Sequence, residues 1–249
     1  MKAIKLVTMV LFLSISGMSY AQTVQEILDK YVENTGGRAK WEALKGMKMT
    51  ASVNQQGMEI PLTIISLKDG RQTTNINFQG MSIKQNVFDG TTLWSTNFMS
   101  MKAEKSDAET TAIFKATSTD FPDPLLNYKA KGYQVELLGK ESIEGTETFK
   151  IKLTKKPVMV EGQLQDDISY YFFDTENFIP IMIENEIKTG QGKGMVSQVT
   201  MSDYQEVDGL FFPFSMAQGV KGLGSQPIVI SKIELNPTVE DSEFVFPEE

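Results

Sequence analysis

The chain of 249 residues contains neither cysteine nor histidine. Without cysteine it can form no disulfide bond, and it lacks the acylated cysteine that anchors bacterial lipoproteins. Without histidine, the Ser-His-Asp and Cys-His nucleophile systems are excluded. Zinc sites normally draw on the same two residue types, so no zinc site is expected, and no motif points to a cofactor. These absences remove whole classes of hydrolase and metalloenzyme.

Arginine is scarce as well, with only Arg38 and Arg71. Asp and Glu number 32 against 24 Lys and Arg, which gives a formal net charge of −8. An acidic surface repels nucleic acid phosphates and anionic head groups, and two arginines are too few for planar phosphate clamps. The glycine-rich residues 190–194 sit in a predicted hairpin and open no helix, unlike a phosphate loop. Nucleic acids and nucleotides are therefore not expected as partners.

Residues 1–21 have the composition of a secretory signal peptide. Lys2 and Lys5 precede an apolar run at residues 6–15, and small residues lead up to Ala21. The apolar run is too short to remain as a membrane-spanning helix. We therefore expect cleavage after Ala21, no integral membrane segment afterwards, and a soluble periplasmic protein that comprises residues 22–249.

Most of the remaining chain consists of short stretches in which apolar and polar residues alternate, separated by turn signals such as the Asp-Gly pairs at residues 69–70 and 89–90. Such alternation is typical of antiparallel strands with one wetted face. A capping box at Thr23 and Glu26 starts an N-terminal helix whose apolar stripe indicates packing on the sheet. We predict a single, mainly β domain of about eleven antiparallel strands with three or four helices.

A stretch with little apolar content interrupts the strands at about residues 99–130. Ser106 and Glu109 form a capping box, and the helix that follows has only a thin apolar stripe. A proline then favours a second short helix that carries Leu125 and Leu126. The insertion is too short and too polar to fold as its own domain. It is expected to lie across the sheet, either as a fixed plug or as a lid that opens and closes.

The apolar residues of the strands exceed what one buried face needs. Leu210, Phe212, Phe214 and Met216 alternate along one strand and point to one face, and the strand at residues 168–173 is apolar on both faces. Eleven of the 14 methionines lie beyond residue 21, and methionine suits surfaces that adapt to varied apolar ligands. A wide sheet with so little helix to cover it favours an apolar groove over a completely filled core.

The candidate ligand-binding residues are the large apolar side chains of this sheet and its insertion. We expect the insertion to close over a groove lined by Phe212 and Phe214 together with Tyr170 and Phe172. The full set is Met49, Leu62, Ile64, Phe78, Trp94, Ile113, Phe114, Leu125, Leu126, Tyr170, Phe172, Phe212 and Phe214. No catalytic or metal-ligating residue is assigned.

Four short motifs occur in an order known from one protein family. Residues 89–94, Asp-Gly-Thr-Thr-Leu-Trp, are similar to that family's Asp-Gly-x-x-Leu-Trp strand start. Residues 171–180 are similar to its aspartate turn and apolar-Pro strand, and residues 208–213 and 236–244 match in kind. With the helical insertion after the Trp strand, the chain resembles the bacterial outer-membrane lipoprotein carrier LolA and the wider LolA/LolB-like superfamily.

The resemblance implies an incomplete, half-open antiparallel β-barrel with a helical lid, an apolar cavity for acyl chains, and no enzymatic activity. It also implies acyl chains of lipoproteins or other lipids as ligands, with inner- and outer-membrane sorting components as protein partners. Two features depart from the family. Its lid-holding arginine stands in a Lys-Arg-Pro turn, where this chain has Lys68, Asp69 and Gly70, followed by Arg71. The related receptor is itself a lipoprotein, and the missing cysteine argues against that role.

The expected function is therefore that of a soluble periplasmic binding or carrier protein for lipoproteins or other acylated, apolar ligands. One alternative is a periplasmic protein-interaction or sensor module with a filled core, since a sensor branch of the superfamily binds a signalling partner. A third reading is a secreted carboxylate hydrolase that uses Asp166, Asp167, Glu184 and Glu186. Their positions near strand ends, or alternating outward along a strand, favour a solvated surface instead.

Overall fold

The computed structural model describes residues 22–247. The predicted signal peptide lies outside the described residues. Within them the chain forms fifteen strands, three α-helices and one short 3₁₀ helix, Asp241–Glu243. Strands dominate, as the alternation of apolar and polar residues predicted.

The elements follow one another as a long β meander with one helical interruption. The helices are α1 (Val24–Asn34), α2 (Arg38–Ala43) and α3 (Ala108–Ser118). The strands are β1 (Gly46–Gln55), β2 (Met58–Leu67), β3 (Gln72–Phe78), β4 (Met81–Phe88), β5 (Leu93–Thr96), β6 (Ala103–Lys105), β7 (Gln134–Ile143), β8 (Thr146–Thr154), β9 (Val158–Val160), β10 (Gln163–Gln165), β11 (Ile168–Asp174), β12 (Pro180–Glu186), β13 (Val196–Val207), β14 (Leu210–Val220) and β15 (Gly224–Leu235).

Thirteen strands form one antiparallel sheet in the order β6-β5-β4-β3-β2-β1-β15-β14-β13-β12-β11-β8-β7. β9 and β10 form a separate hairpin. The two edge strands, β6 and β7, do not pair with each other, so the sheet does not close into a barrel. This confirms the predicted mainly β fold, an incomplete antiparallel barrel with few helices. The large sheet has thirteen strands rather than about eleven, because strands as short as β6 are too brief to show alternation.

The inner face of the sheet is the face that α1 and α2 cover, and it carries the main hydrophobic core. The capping box predicted for α1 is present, with Thr23 and Glu26 each accepting a backbone hydrogen bond from the other. The helix buries Ile27, Leu28 and Tyr31. The apolar stripe therefore packs on the sheet, as its spacing predicted.

Helix α2 is fixed to the start of β14. The indole of Trp41 meets the ring of Phe212 edge-on at 5.1 Å, and its Nε1 donates to the Thr35 hydroxyl. Just before α2, Gly36 adopts a φ of +115°, and a Cβ there would lie 2.1 Å from the carbonyl oxygen of Gly209. Only glycine fits this backbone crossing. The helices therefore cover the inner face at the end where β14 begins.

A second, smaller core lies on the outer face of the sheet. Ile65, Val87 and Trp94 are buried there beneath Phe244 of the C-terminal segment. The Trp94 indole donates to the Phe244 carbonyl oxygen at 3.1 Å. The prediction that Trp94 lines the groove is therefore wrong in its placement. The C-terminal segment covers the outer face of β5 and buries Trp94 there. A strand of four residues is too short for its sequence to show which face is buried.

The insertion differs from its prediction after α3. The predicted second short helix is wrong, because residues 124–132 form turns. The Asp123 carboxylate accepts a hydrogen bond from the backbone N–H of Leu125 at 2.7 Å, which is a turn-forming arrangement that competes with helix. Leu125 and Leu126 are nonetheless buried, at 3% exposure each, in the main core.

Candidate functional site

Two rows of apolar side chains cross the inner face perpendicular to the strands. Members of a row are cross-strand partners, so they share one face of the sheet. The closed row consists of Ile83, Ile76, Leu62, Ala51 and Ile230. The open row consists of Ile60, Val53, Ile228, Met216 and Met201. Together the rows form a continuous apolar floor from β4 to β13.

The two rows differ in their access to solvent. Four of the five members of the closed row are at most 7% exposed. Four of the five members of the open row are partly exposed. The helices account for the difference, because Trp41 packs on Phe212 near the start of β14. Met216 lies four residues further along that strand, roughly 13 Å away at the usual strand rise. The open row is therefore the accessible part of the floor.

Helix α3 lies between β4 of the large sheet and the β9–β10 hairpin. On one side the Phe114 ring meets the Phe88 ring of β4 edge-on at 5.3 Å. On the other side the Glu109 carboxylate accepts from the backbone N–H of Glu161, beside β9, at 2.7 Å. None of the described α3 residues is buried. Because all of the described α3 residues keep some exposure to solvent, we expect the attachment of the helix to be weak compared with global stability.

The segment after α3, residues 119–133, is held much more firmly, and we call it the clamp segment. The Asp120 carboxylate, 8% exposed, accepts from Lys131 Nζ at 2.6 Å and from the Tyr133 hydroxyl at 3.0 Å. Lys155 lies 3.5 Å from the same carboxylate and 2.8 Å from that of Asp167. These contacts tie the clamp segment to the β8–β11 side of the sheet. The insertion is therefore a loosely held helix followed by a fixed segment.

The clamp segment also binds the N-terminal helices. The Tyr31 hydroxyl donates to the Asp123 carboxylate at 2.6 Å, and Arg38 donates to the carbonyl oxygen of Leu126 at 2.6 Å. Burial raises the pKa of Asp123 above its usual value, although the hydrogen bond from Tyr31 acts in the opposite direction. Burial and the neighbouring Asp123 charge raise the pKa of the Tyr31 hydroxyl well above 10.0. The ionised form of Asp123 is therefore less favourable in the folded protein than in the unfolded chain.

Asp123→Asn should make stability less sensitive to pH. The pKa of Asp123 is higher in the folded protein than in the unfolded chain, where a carboxyl has a pKa of about 3.9. Its contribution to folding stability is therefore fully present below that unfolded pKa and is lost as pH rises through the folded pKa. The amide has one acceptor oxygen, whereas the carboxylate uses two. The variant therefore also loses a part of its stability that does not change with pH. We expect the stability of the variant minus that of the wild type to increase with pH in urea unfolding. A difference that stays flat or decreases would contradict this account.

The structure brings together seven of the predicted ligand-binding residues in the inner core. They are Met49, Leu62, Ile64, Leu125, Leu126, Phe212 and Phe214. Phe78 lies in register opposite Met81 at the end of the β3–β4 hairpin. Ile113 and Phe114 lie on α3, where both are partly buried. A role of any of these residues in binding remains a prediction.

Tyr170 and Phe172 are placed on the opposite face from Phe212. Their neighbours Tyr171 and Phe173 belong to the inner core, whereas Lys150 lies over the Tyr170 and Phe172 rings at 5.4 and 5.1 Å. The predicted grouping of these two rings with Phe212 is therefore wrong. Because successive strand residues alternate faces, an error of one residue in parity moves the whole set across the sheet.

The open-row residues Val53, Ile228 and Met201 were not among the predicted site residues. Each shows only ordinary alternation in its own strand. Their common row depends on the pairing of β1 with β15, which joins residues nearly 180 positions apart in the chain. Periodicity could show that these side chains lie on a sheet face, but it could not show which face stays open.

Three of the four carboxylates considered for hydrolysis gather at the outer face, whereas Asp167 pairs with Lys155 beside the clamp segment. Asp166, Glu184 and Glu186 line a pocket of about 250 Å³ there. Glu184 is 5% exposed and accepts from Gln198 Nε2 at 2.7 Å and from Lys221 Nζ at 2.8 Å. This carboxylate is thus neutralised by a lysine and an amide, an arrangement that stabilises the sheet surface rather than poising a general acid.

Residues 22–247 contain no helix long and apolar enough to cross a membrane. Among the same residues, no three His, Cys, Asp or Glu side chains gather so that they could hold a metal ion.

The sequence matches no family model and no curated protein. Solved structures do resemble the fold. A domain described as an outer membrane lipoprotein-sorting protein from Vibrio parahaemolyticus is 14% identical, with 87% of this chain and 97% of that chain covered and a TM-score of 0.50. A DUF1329 family protein from Desulfovibrio piger is 15% identical, with 90% and 98% covered and a TM-score of 0.53.

A LolA superfamily protein from Nitrosomonas europaea is also similar, at 15% identity, with 90% of this chain and 98% of that chain covered and a TM-score of 0.50. All three matches extend over nearly the whole described chain. They show that the protein shares the fold of these three proteins, one of which is a LolA superfamily protein, in agreement with the resemblance that the sequence motifs indicated. At such low identity the likeness concerns the fold alone.

Proposed function

We propose that this protein is a periplasmic carrier or binding protein for lipoproteins or other acylated, apolar ligands, and that it is not an enzyme. The observation that carries the proposal is the open row, an apolar part of the inner face that stays partly exposed. The ligand is an acyl chain that lies along this row, between the floor and α3. Inner- and outer-membrane sorting components are the partners that such a carrier requires.

The energetics of the open row suit an acyl chain. Each methylene that leaves water contributes about 0.8 kcal/mol, and a chain along the row would be covered on one side by several apolar residues. Met201 and Met216 supply flexible, polarizable side chains that adapt to chains of different shape. Since none of the described α3 residues is buried, a bound chain can displace or reposition the helix at small cost.

The moving part of the insertion is then α3 alone. Leu125 and Leu126 were predicted to belong to a lid, but both lie in the main core and the clamp segment is fixed by Asp120. We therefore restrict the lid to α3, Ala108–Ser118, and its immediate connections. The clamp segment serves as the hinge side against which α3 opens.

Ile228→Asp should weaken binding of a fluorescent fatty-acid probe by roughly tenfold or more, because a carboxylate in the open row opposes an apolar ligand. Val229→Asp is the matched control, since Val229 is the next residue on β15, points to the opposite face and is 56% exposed. Probe affinity should stay unchanged in the control, and native mass spectrometry of wild-type protein should show bound lipid. Equal affinities for the two variants, or a wild type that binds no probe, would refute the proposal.

Hydrogen exchange separates a lid from a plug. Amides of α3 should exchange faster than those of β14 in the free protein and slow down when the probe binds, while the clamp segment stays unchanged. The opposite result is that the α3 amides are protected from exchange as strongly as those of β14, with no change when lipid binds. That result would favour the alternative, a protein-interaction module with a filled core. Such a module should bind a partner protein irrespective of acylation.

A further inference from the structure

Five hairpin turns of the large sheet lie at one end of the molecule. Antiparallel pairing alternates the strand directions, so the turns at residues 56–57, 79–80, 97–102, 187–195 and 221–223 share an end. The turns at residues 68–71, 89–92, 144–145, 175–179 and 208–209 share the opposite end, next to α2. We call the first five turns, with the adjoining Met58 and Met81, the rim.

The rim concentrates exposed apolar side chains. Seven large apolar residues there are between 41% and 97% exposed: Met58, Met81, Phe98, Met99, Met101, Met195 and Leu223. The most exposed are Met99, at 97%, and Leu223, at 72%. None of the large apolar side chains that are this exposed in the described chain lies in the five opposite turns. Every rim turn therefore carries or adjoins at least one such side chain, and the five opposite turns carry none.

Charge divides the two ends in the same way. The rim turns contain four lysines, Lys102, Lys188, Lys193 and Lys221, and neither Asp nor Glu. Each of the five opposite turns contains one carboxylate, Asp69, Asp89, Glu144, Glu176 or Asp208, and the turn at residues 68–71 also contains Lys68 and Arg71. This contrast occurs in a chain with a formal net charge of −8. Three of the rim lysines pair with carboxylates that lie outside these turns: Lys188 with Glu186, Lys193 with Glu161, and Lys221 with Glu184. The turns themselves combine lysines with exposed apolar residues and hold no carboxylate, as surfaces that meet lipid head groups do.

We propose that the rim docks on a lipid bilayer, with its methionine, leucine and phenylalanine side chains inserted among the head groups. Neighbouring turns are two strands apart, roughly 10 Å, so the five turns form an arc of about 40 Å. A protein partner would require one contiguous apolar patch, whereas separate turns with one or a few apolar side chains each can enter a fluid lipid surface independently.

Docking at the rim goes beyond the carrier function and stands without it. The open row ends beside the rim, since Val53 lies three residues before the turn at 56–57 and Met216 lies five residues before the turn at 221–223. A protein docked in this way presents the open end of its floor to the bilayer. A ligand on the floor would then face the membrane without crossing the lysine and carboxylate surface of the opposite end.

Vesicle co-sedimentation tests the proposal with the purified protein and vesicles of phosphatidylcholine that contain a minority of phosphatidylglycerol. Wild type should pellet with the vesicles, and Met99→Asp combined with Leu223→Asp should lower partitioning by roughly tenfold or more. Leu138→Asp is the control, because Leu138 on β7 is 45% exposed and lies away from the rim. The proposal would be overturned if the wild type did not pellet with vesicles, or if Leu138→Asp lost as much partitioning as the rim variant. It would also be overturned if the rim captured a protein while the wild type did not bind vesicles.

A spectroscopic readout gives an independent check. Both native tryptophans, Trp41 and Trp94, are buried, so a tryptophan introduced by Phe98→Trp would be the exposed reporter. Its emission should shift to the blue when vesicles are added, and an unchanged emission would contradict insertion. Failure of rim docking and failure of the carrier function are distinguishable, because the rim variants should keep the fatty-acid affinity that Ile228→Asp loses.

Discussion

Replacing Leu125 by Asp is expected to remove most of the stability of the protein, with a loss of more than about 4 kcal/mol. Truncating a buried leucine costs about 2–5 kcal/mol, and a carboxylate left in its place has no cation to pair with in the core. Leu125 is 3% exposed and belongs to the same core as Tyr31 and Phe173. Since whole domains are stable by only about 5–15 kcal/mol, urea unfolding should show a large shift of the midpoint.

Asn127→Asp is the matched control, because it introduces the same carboxylate two residues away at an exposed position of the same turn. Its midpoint should stay within the small range that is normal for surface changes. Leu125→Asp could instead leave the unfolding midpoint nearly unchanged and only speed up the binding and release of the fatty-acid probe. In that case the clamp segment would be a movable lid. The sequence pattern alone favours that outcome, and the burial of Leu125 argues against it.

The sheet could be predicted from the sequence because its signal is local. Alternation along residues 210–216 places Phe212 and Phe214 on one face, and both lie in the inner core. The same alternation showed that Tyr171 and Phe173 oppose Tyr170 and Phe172, and this separation is observed. Capping residues likewise identified α1, since a cap depends on neighbours three positions apart.

The sequence could not show which faces of different strands lie on the same side of the sheet, because that depends on long-range strand pairing. The set of residues that shares a face with Phe212 follows from the register of β13, β14 and β15 and from the position of α2. Parity within β11 gives two equally apolar faces, so either could have been the inner one. Trp94 was misplaced for a related reason, since its cover comes from residues about 150 positions later in the chain.

The insertion shows how local propensity loses to tertiary contacts. A proline followed by two leucines favours a short amphipathic helix, but the Asp123 carboxylate captures the N–H of Leu125 and the Tyr31 hydroxyl instead. The Leu125 N–H is local to the turn, whereas the Tyr31 hydroxyl is available only because α1 packs beside the segment. Leu125 therefore lies in the core within a turn and not in a helix. Local sequence propensity does not predict this arrangement.

The outer core at the C-terminal segment leads to the last prediction: Phe244→Ala should lower the free energy of unfolding by about 3–5 kcal/mol, the range for removal of a buried aromatic ring. Phe244 is 1% exposed and covers Ile65, Val87 and Trp94. The Arg71 guanidinium also lies 5.1 Å from the centre of its ring. Without the ring, water reaches the Trp94 indole, so the tryptophan emission of the folded state should shift to the red.

Val245→Ala provides the comparison, because Val245 is the next residue in the chain and is 56% exposed. It should unfold at nearly the wild-type midpoint and keep the wild-type emission. Ion pairs from Arg71 to Asp241 at 2.6 Å and from Lys84 to Glu243 at 3.0 Å still hold the segment in both variants, but partly exposed pairs contribute little. If the two variants unfold alike, the ion pairs rather than the ring fix the C-terminal segment, and the outer core is not a stabilising element of this fold.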